Sequence, residues 1–211
     1  MKLCVIGGAG ARSAFLTKSL VKSTRDIRVD HIVLLDNDQQ KLKTYGEISR
    51  ELSRRLDPDL TFEVTSDARA ALTGVDYIIT TIRAGGDAGR LFDEQTCLAH
   101  GVLGQETTGA GGFAMAIRSV PTLVYYCTLA REVANPGHLI FNFTNPSGII
   151  TQALRSKGFD NVYGICDAPS GFIKQLEEIL EIPYGTLDIE CYGLNHLSWF
   201  RNAKVNGRDV Q

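Results

Sequence analysis

The sequence has no run approaching the roughly 20 apolar residues that a membrane-spanning helix needs. The apolar stretch in MKLCVIGGAG is also too short for the core of a signal peptide. Excess charge is nearly absent, with 22 Lys and Arg against 24 Asp and Glu giving a net charge of −2. Electrostatics therefore offers no reason to expect nucleic acid or an anionic membrane as a partner. The five cysteines (Cys4, Cys97, Cys127, Cys166 and Cys191) include no CxxC pair. They read as reduced thiols in a cytoplasmic protein, at least four of them as small core residues. Repeats and low-complexity segments are missing too.

What is present is an ordinary globular composition over 211 residues, enough to bury a full core. Strand-like apolar runs at Leu3–Ile6, His31–Leu35, Thr61–Thr65, Val75–Ile82, His138–Phe143 and Asn161–Ile165 alternate with helical stretches. That alternation predicts an α/β fold, a Rossmann-like doubly wound parallel sheet with helices on both faces. Between the second and third runs, Leu42, Tyr45, Ile48, Leu52 and Leu56 predict an amphipathic helix over Asp38–Leu56, capped by Asn37 or Asp38. Ser66–Leu72 reads as a short helix. A longer one spans Phe113–Ala134, with a kink or break expected at Pro121.

Past Pro183 the pattern changes to strands at Leu187–Tyr192 and Leu197–Val205, followed by an Asn206-Gly207 hairpin turn. The expected division is a dinucleotide-binding domain over 1–165 and the start of a catalytic and metal-binding region over 166–211. A chain ending just after a hairpin turn suggests the N-terminal part of a longer protein.

The first strand runs into Gly7-Gly8-Ala9-Gly10 and then a helical stretch from Arg12. Glycines there let a backbone approach a pyrophosphate whose charge meets the helix N-terminus. The match to the dinucleotide fingerprint is imperfect, because Ser13 stands where a third glycine or alanine is usual. Asp36, closing the second strand, is placed to take ribose hydroxyls and to favour NAD over NADP by repelling a 2′-phosphate. Its plainer role is a cap for the helix that follows.

Two segments are odd choices for packing alone, GICDAP (164–169) and GLNHLSW (193–199). Cys166 and His196 each follow a strand-like run. A thiolate and an imidazole can share a divalent transition metal whose open positions take substrate oxygens. Alone, Cys166 fits a core thiol, His196 a loop histidine and Asp167 a helix cap. Arg83 and Arg90 flank Ala84–Gly89 beyond the fourth strand, where two guanidiniums can clamp a phosphate. They can equally pair with Asp87 or Asp93. Asn142, Thr144 and Asn145 end the fifth strand, and the loop Gly104–Gly109 either lines a cleft or is solvated.

At these residues the chain resembles glycoside hydrolase family 4, the NAD- and metal-dependent glycosidases, and in particular its 6-phosphoglucosidases. The stretches that carry the resemblance are VIGGAGARS, TIRAGGDAGRLFDEQ, GVLGQETTGAGGF, NFTNPSG, GICDAPSG and GLNHLSW, in family order across nearly the whole chain. The resemblance implies Mn²⁺ or a similar divalent ion on Cys166 and His196, and NAD over Gly7, Gly8, Gly10 and Asp36. It also implies a phosphorylated glucoside or disaccharide on Arg90 and Asn145, beside Arg83 of the clamp read from the residues. Hydrolysis is then expected by transient oxidation at C3 and elimination of the C1 substituent. The family's tyrosine base lies in a C-terminal half that this sequence does not include, so the chain alone is expected to be inactive and the complete protein a homo-oligomer.

Cys-Asp at 166–167 is found in the family's 6-phospho-α-glucosidases, with Asp167 as candidate acid for the leaving group. The wider wording of the motifs favours 6-phospho-β-glucosidase. The nearest rival is a lactate- or malate-type dehydrogenase, which shares an Asn-Pro after the fifth strand but needs a Gly-x-His-Gly-like context that Asn195-His196-Leu197 does not supply. A non-catalytic nucleotide sensor would gain nothing from Cys166 or His196.

Overall fold

Six short strands rich in Val, Ile and Leu pair in parallel in a computed structural model that describes residues 1–210. They are β1 (Lys2–Ile6), β2 (His31–Leu35), β3 (Thr61–Thr65), β4 (Tyr77–Thr80), β5 (Leu139–Asn142) and β6 (Val162–Gly164), in the order β3-β2-β1-β4-β5-β6. The expected parallel sheet is therefore present, with β4, β5 and β6 each shorter than its apolar run.

Side chains alternate across the sheet and both faces are covered. Leu3, Val5, Ile32 and Leu34 pack with Leu20 and Val21 of α1 (Ser13–Ile27). Cys4, Ile6, Val33 and Leu35 face Leu72 of α4 (Ala68–Leu72) and the long helix α6 (Gly109–Val133). Residues such as Ile6, Leu34 and Ile78 are 1% exposed, and burial of each contributes about 1.5–3 kcal/mol.

The helical segment after β2 departs from the expected stripe. It comprises α2 (Gln39–Lys41), a π-helical turn over Leu42–Gly46 and α3 (Glu47–Leu56), with the Asp38 side chain accepting the Lys41 N–H at 3.0 Å as the cap. The wider turn rotates the helix. Leu42, Gly46, Ser49 and Ser53 face inward, while Tyr45, Ile48 and Leu56 are exposed. Gly46 has no room for a side chain, because a Cβ there would lie 2.6 Å from Val64 Cγ1.

α6 corrects two expectations. It runs unbroken through Pro121, whose ring and the Ile117 carbonyl freed four residues earlier both belong to exposed residues. It is also long and apolar enough, by length and composition, to cross a membrane. Leu123, Cys127, Leu129 and Ala130 nonetheless belong to the core beside the sheet.

Two further helices lie between these strands, α5 (Gly86–Ala99) after β4 and α7 (Ser147–Ser156) after β5. α8 (Ala168–Ile179) then leads to an antiparallel sheet of β7 (Leu187–Leu194), β8 (Leu197–Val205) and β9 (Arg208–Asp209). The β8–β9 turn has positive φ at both Asn206 and Gly207, the geometry this dipeptide predicts. Glu177 of α8, 1% exposed, accepts the Leu187 N–H at 3.0 Å and ties the helix to β7. Cys4, Cys97 and Cys127 are buried, and burial pushes Cys4 and Cys127 up to about 12. Cys191, expected in the core, is exposed because its sheet is only partly covered.

Candidate active site

Every predicted site residue lies at or just beyond the C-terminal edge of the parallel sheet, where open α/β sheets bind ligands. β1 leads to the glycine turn, β2 to Asp36, β4 to Arg83, β5 to Asn145 and β6 to Cys166. The strand order reverses between β1 and β4, which opens a crevice there.

The N–H groups of Gly7 and Gly8 both donate to the Leu35 carbonyl, at 2.9 and 3.0 Å. Gly7, at φ +86°, and Gly8 are demanded by packing, since a Cβ would lie 2.8 Å from Thr81 C and 2.8 Å from Leu34 Cβ respectively. Gly10 is different. A Cβ there would meet nothing nearer than the Gly7 carbonyl oxygen at 3.9 Å, so it leaves open space beside the start of α1. No side chain caps α1. Asp36 accepts the Ala9 N–H at 3.1 Å and the Asp38 N–H at 3.0 Å. It thus braces the glycine turn as well as the segment before α2.

The β5 edge separates into support and presentation. Asn142, fully buried, accepts from Thr80 Oγ1 at 2.8 Å and donates to Thr151 Oγ1 at 3.1 Å, and Thr144 joins the network through Thr80. These two residues set the loop. Asn145, partly exposed, is the one the loop presents.

Arg83 and Arg90 come together around Glu106, which the sequence marks only as part of a polar, glycine-bounded loop. The Arg83 guanidinium donates to Glu106 Oε1 at 3.1 Å and Oε2 at 3.3 Å, and to Asp87 at 2.6 Å. Arg90 donates to Glu94 at 2.7 Å and lies 3.6 Å from Glu106. The hydrogen bond from Arg83 holds the Asp87 carboxyl below its usual range, and the one to Glu94 raises the Arg90 guanidinium. The Glu106 side chain is 15% exposed, so it packs against the two arginines rather than dangling in solvent. The pairing with Asp87 occurs as the plainer reading had it. Asp93 instead engages Arg118. The only hint of Glu106 in the sequence was a carboxylate inside a glycine-bounded polar loop.

Cys166 and His196, thirty residues apart, meet. Cys166 Sγ lies 3.4 Å from His196 Nε2 and accepts the Ala168 N–H at 3.5 Å. A two-residue turn, Asn195-His196, joins β7 to β8, and His196 is held at φ +60°. That left-handed conformation is unusual for a residue with a side chain and marks a site worth explaining. A sulfur and an imidazole nitrogen bound to one ion at about 2.3 and 2.1 Å, near the tetrahedral angle, stand roughly 3.5 Å apart. The donor pair therefore fits a divalent transition metal. No cluster of three or more His, Cys, Asp or Glu suited to a metal occurs among the described residues, so further ligands would come from outside this pair. Asp167 occupies the cap position of α8 without making a cap bond, which removes the plain reading of its side chain. A cleft of about 540 Å³ lies beside the pair, lined by Ser147, Thr151, Arg155, Cys166 and Asn195 among others.

A glycine turn, an acid on β2 and a Cys–His pair at one sheet edge form a combination that a plain dehydrogenase does not need. The sequence profile of the family 4 glycosyl hydrolases matches residues 2–182. The chain belongs to this family. It is 36% identical over its whole length to the 6-phospho-beta-glucosidase BglT of Thermotoga maritima, of which it covers 50%. The structure of the Thermotoga 6-phospho-beta-glucosidase with NAD and glucose-6-phosphate superposes with a TM-score of 0.89 over all of this chain and 50% of that one, at 34% identity. Another structure of that enzyme holds manganese, NAD+ and glucose-6-phosphate. A 6-phospho-alpha-glucosidase from gut microorganisms, with NAD and glucose-6-phosphate, gives a TM-score of 0.94 at 30% identity, over all of this chain and 48% of that one. Lactate dehydrogenase from Eimeria maxima shares the fold at a TM-score of 0.69 and 14% identity, covering 99% of this chain and 58% of that one. This family 4 chain spans about half the length of the curated relatives it matches.

Proposed function

We propose that the chain carries the NAD- and metal-binding part of a 6-phosphoglucosidase, of the β type, with residues 1–165 as the dinucleotide domain. The observation that carries this reading is the 3.4 Å approach of Cys166 Sγ to His196 Nε2 at the ligand edge of a dinucleotide fold. A bound nicotinamide and divalent ion supply a hydride acceptor and Lewis acidity, the chemistry of oxidation at C3 followed by elimination. The chain's own residues do the rest. Gly10 and the uncapped start of α1 take the pyrophosphate, Asp36 the ribose, Arg83 and Arg90 the sugar phosphate, and Asn145 the sugar. No side chain of this chain is assigned to remove the C2 proton.

A second reading, the α-glucosidase, is favoured by one observation. Asp167 follows the metal cysteine as an exposed side chain with no cap bond, available in its protonated form as the general acid for a leaving group.

The test pairs the chain with the remaining half of the length its relatives have. Turnover of α- and β-linked chromogenic 6-phosphoglucosides is measured with NAD⁺ and Mn²⁺ supplied or withheld. Activity on the β-anomer that needs both, with deuterium from D₂O at C2 of the product, is the expected result. Turnover without either cofactor, or with C2–H retained and no isotope effect from a C2-deuterated substrate, overturns it.

A further inference from the structure

The glycine-bearing segment between Arg83 and Arg90, which leads into the first turn of α5, is shaped from beneath by a residue of another helix. Arg118 of α6 reaches across to α5, and its guanidinium donates from Nε to the Ala84 carbonyl at 3.2 Å. Its Nη1 donates to Asp93 Oδ1 at 2.9 Å, while Nη2 contacts Asp93 Oδ2 and the Met115 sulfur. Four of its five N–H groups are thereby committed to the protein. Asp93 is only 7% exposed, which makes it an inward anchor, unlike Asp87, Glu94 and Glu106 around the other two arginines.

The glycines follow from this arrangement. A Cβ at Gly85, already at φ +86°, would lie 3.0 Å from Arg118 Nε, and one at Gly89 would lie 3.5 Å from both Nε and Nη2. The segment is thin because a guanidinium lies under it.

We infer that Arg118, anchored by Asp93, is a positioning residue that fixes the Ala84–Gly89 segment, the entry and first turn of α5, so that Arg83 and Arg90 converge on one anionic group, the phosphate of the sugar. This rests on the phosphoglucosidase reading. Arg118 has too few free donors to be a principal phosphate ligand, and it acts through the backbone of Ala84, next to Arg83. Arginine is needed because one planar fork must hold a carboxylate and a carbonyl together, which a lysine ammonium does not do in the same geometry.

The experiment titrates glucose 6-phosphate and, separately, NAD into the chain with Mn²⁺ present, comparing Arg118→Lys, Asp93→Asn and Arg90→Ala with the unaltered protein. Arg118→Lys and Asp93→Asn are each expected to weaken glucose 6-phosphate at least tenfold while NAD affinity stays within twofold. If both lower the melting temperature but leave glucose 6-phosphate within twofold, while Arg90→Ala weakens it, the pair is only a clamp between helices and the inference fails with the phosphate reading intact. If the unaltered chain does not bind glucose 6-phosphate, or Arg90→Ala binds it normally, the phosphate reading fails and takes the inference with it. Should Arg118→Lys not fold, Asp93→Asn, nearly identical in shape, decides by the same two affinities.

Discussion

Arg83 and Glu106 face each other in a two-pronged contact, Nε to Oε1 at 3.1 Å and Nη2 to Oε2 at 3.3 Å. The carboxylate occupies the guanidinium edge that a phosphate would use, so the two compete for it. Glu106→Gln removes the competing charge. Partly exposed ion pairs contribute about 0.2–1 kcal/mol, so calorimetric titration of inorganic phosphate should show affinity rising by up to about fivefold. Weaker binding would make Glu106 a partner in recognition rather than a competitor.

The metal reading predicts loss without unfolding. In the presence of glucose 6-phosphate, Mn²⁺ should raise the melting temperature of the unaltered chain; at a hundred times its Kd, a ligand adds about 2.7 kcal/mol. Cys166→Ser and His196→Ala should each abolish that rise and keep NAD affinity within twofold. A full manganese shift in either variant would make that residue structural.

Two glycines of the turn after β1 should separate by experiment. Gly8→Ala drives a Cβ to within 2.8 Å of Leu34 Cβ and is expected to lower stability by about 1–3 kcal/mol. Gly10→Ala meets nothing inside 3.9 Å and should melt like the unaltered chain, within about 0.5 kcal/mol, while binding NAD more weakly. Urea unfolding and NAD titration of both variants check the contrast.

Asp76, far from the site, is among the carboxylates that make the protein acid-sensitive. Asn135 donates to Asp76 Oδ1 at 2.8 Å and the Lys2 N–H to Oδ2 at 2.7 Å, and chiefly the Asn135 bond holds the Asp76 carboxyl below the usual range. A depressed folded-state value stabilises the protein above the unfolded pKa of about 3.9, and the contribution is lost as pH falls through the folded value. Between neutral pH and about pH 3, Asp76→Asn should therefore lose less stability than the unaltered chain. Equal slopes of stability against pH would remove Asp76 from the account.

The sheet was legible because each strand is a short β-rich run ended by a turn residue, and burial on both faces leaves little else for such runs to do. The pairing of Cys166 with His196 was legible only as chemistry. Their approach depends on a two-residue turn and on Glu177 tying α8 to β7, neither of which has a local signature. Two misreadings share a cause. A π-turn at Leu42–Gly46 moved the buried face of one helix, and Pro121 kept to an exposed face of another. Both are adjustments of backbone to neighbour that a periodic pattern does not encode. Glu106 and Arg118 were missed because a charged residue's partner is set by tertiary approach.

The Asn195-His196 turn has a consequence for inheritance as well as chemistry. Leu194 pairs directly with Leu197, so the imidazole stands at the tip of a ruler graduated in whole residues. Strand pairing has no half steps, and a slip of one residue reverses which face each side chain occupies. The irregularity between Asp188 and Glu190, five or more residues from the tip, already absorbs one shift in that count. A single-residue insertion or deletion near the tip of this hairpin would turn the histidine away from the cysteine. Gly193, where a Cβ would lie 2.6 Å from the Leu197 carbonyl oxygen, restricts substitution in these strands, and their length is tied to a single sulfur–nitrogen distance.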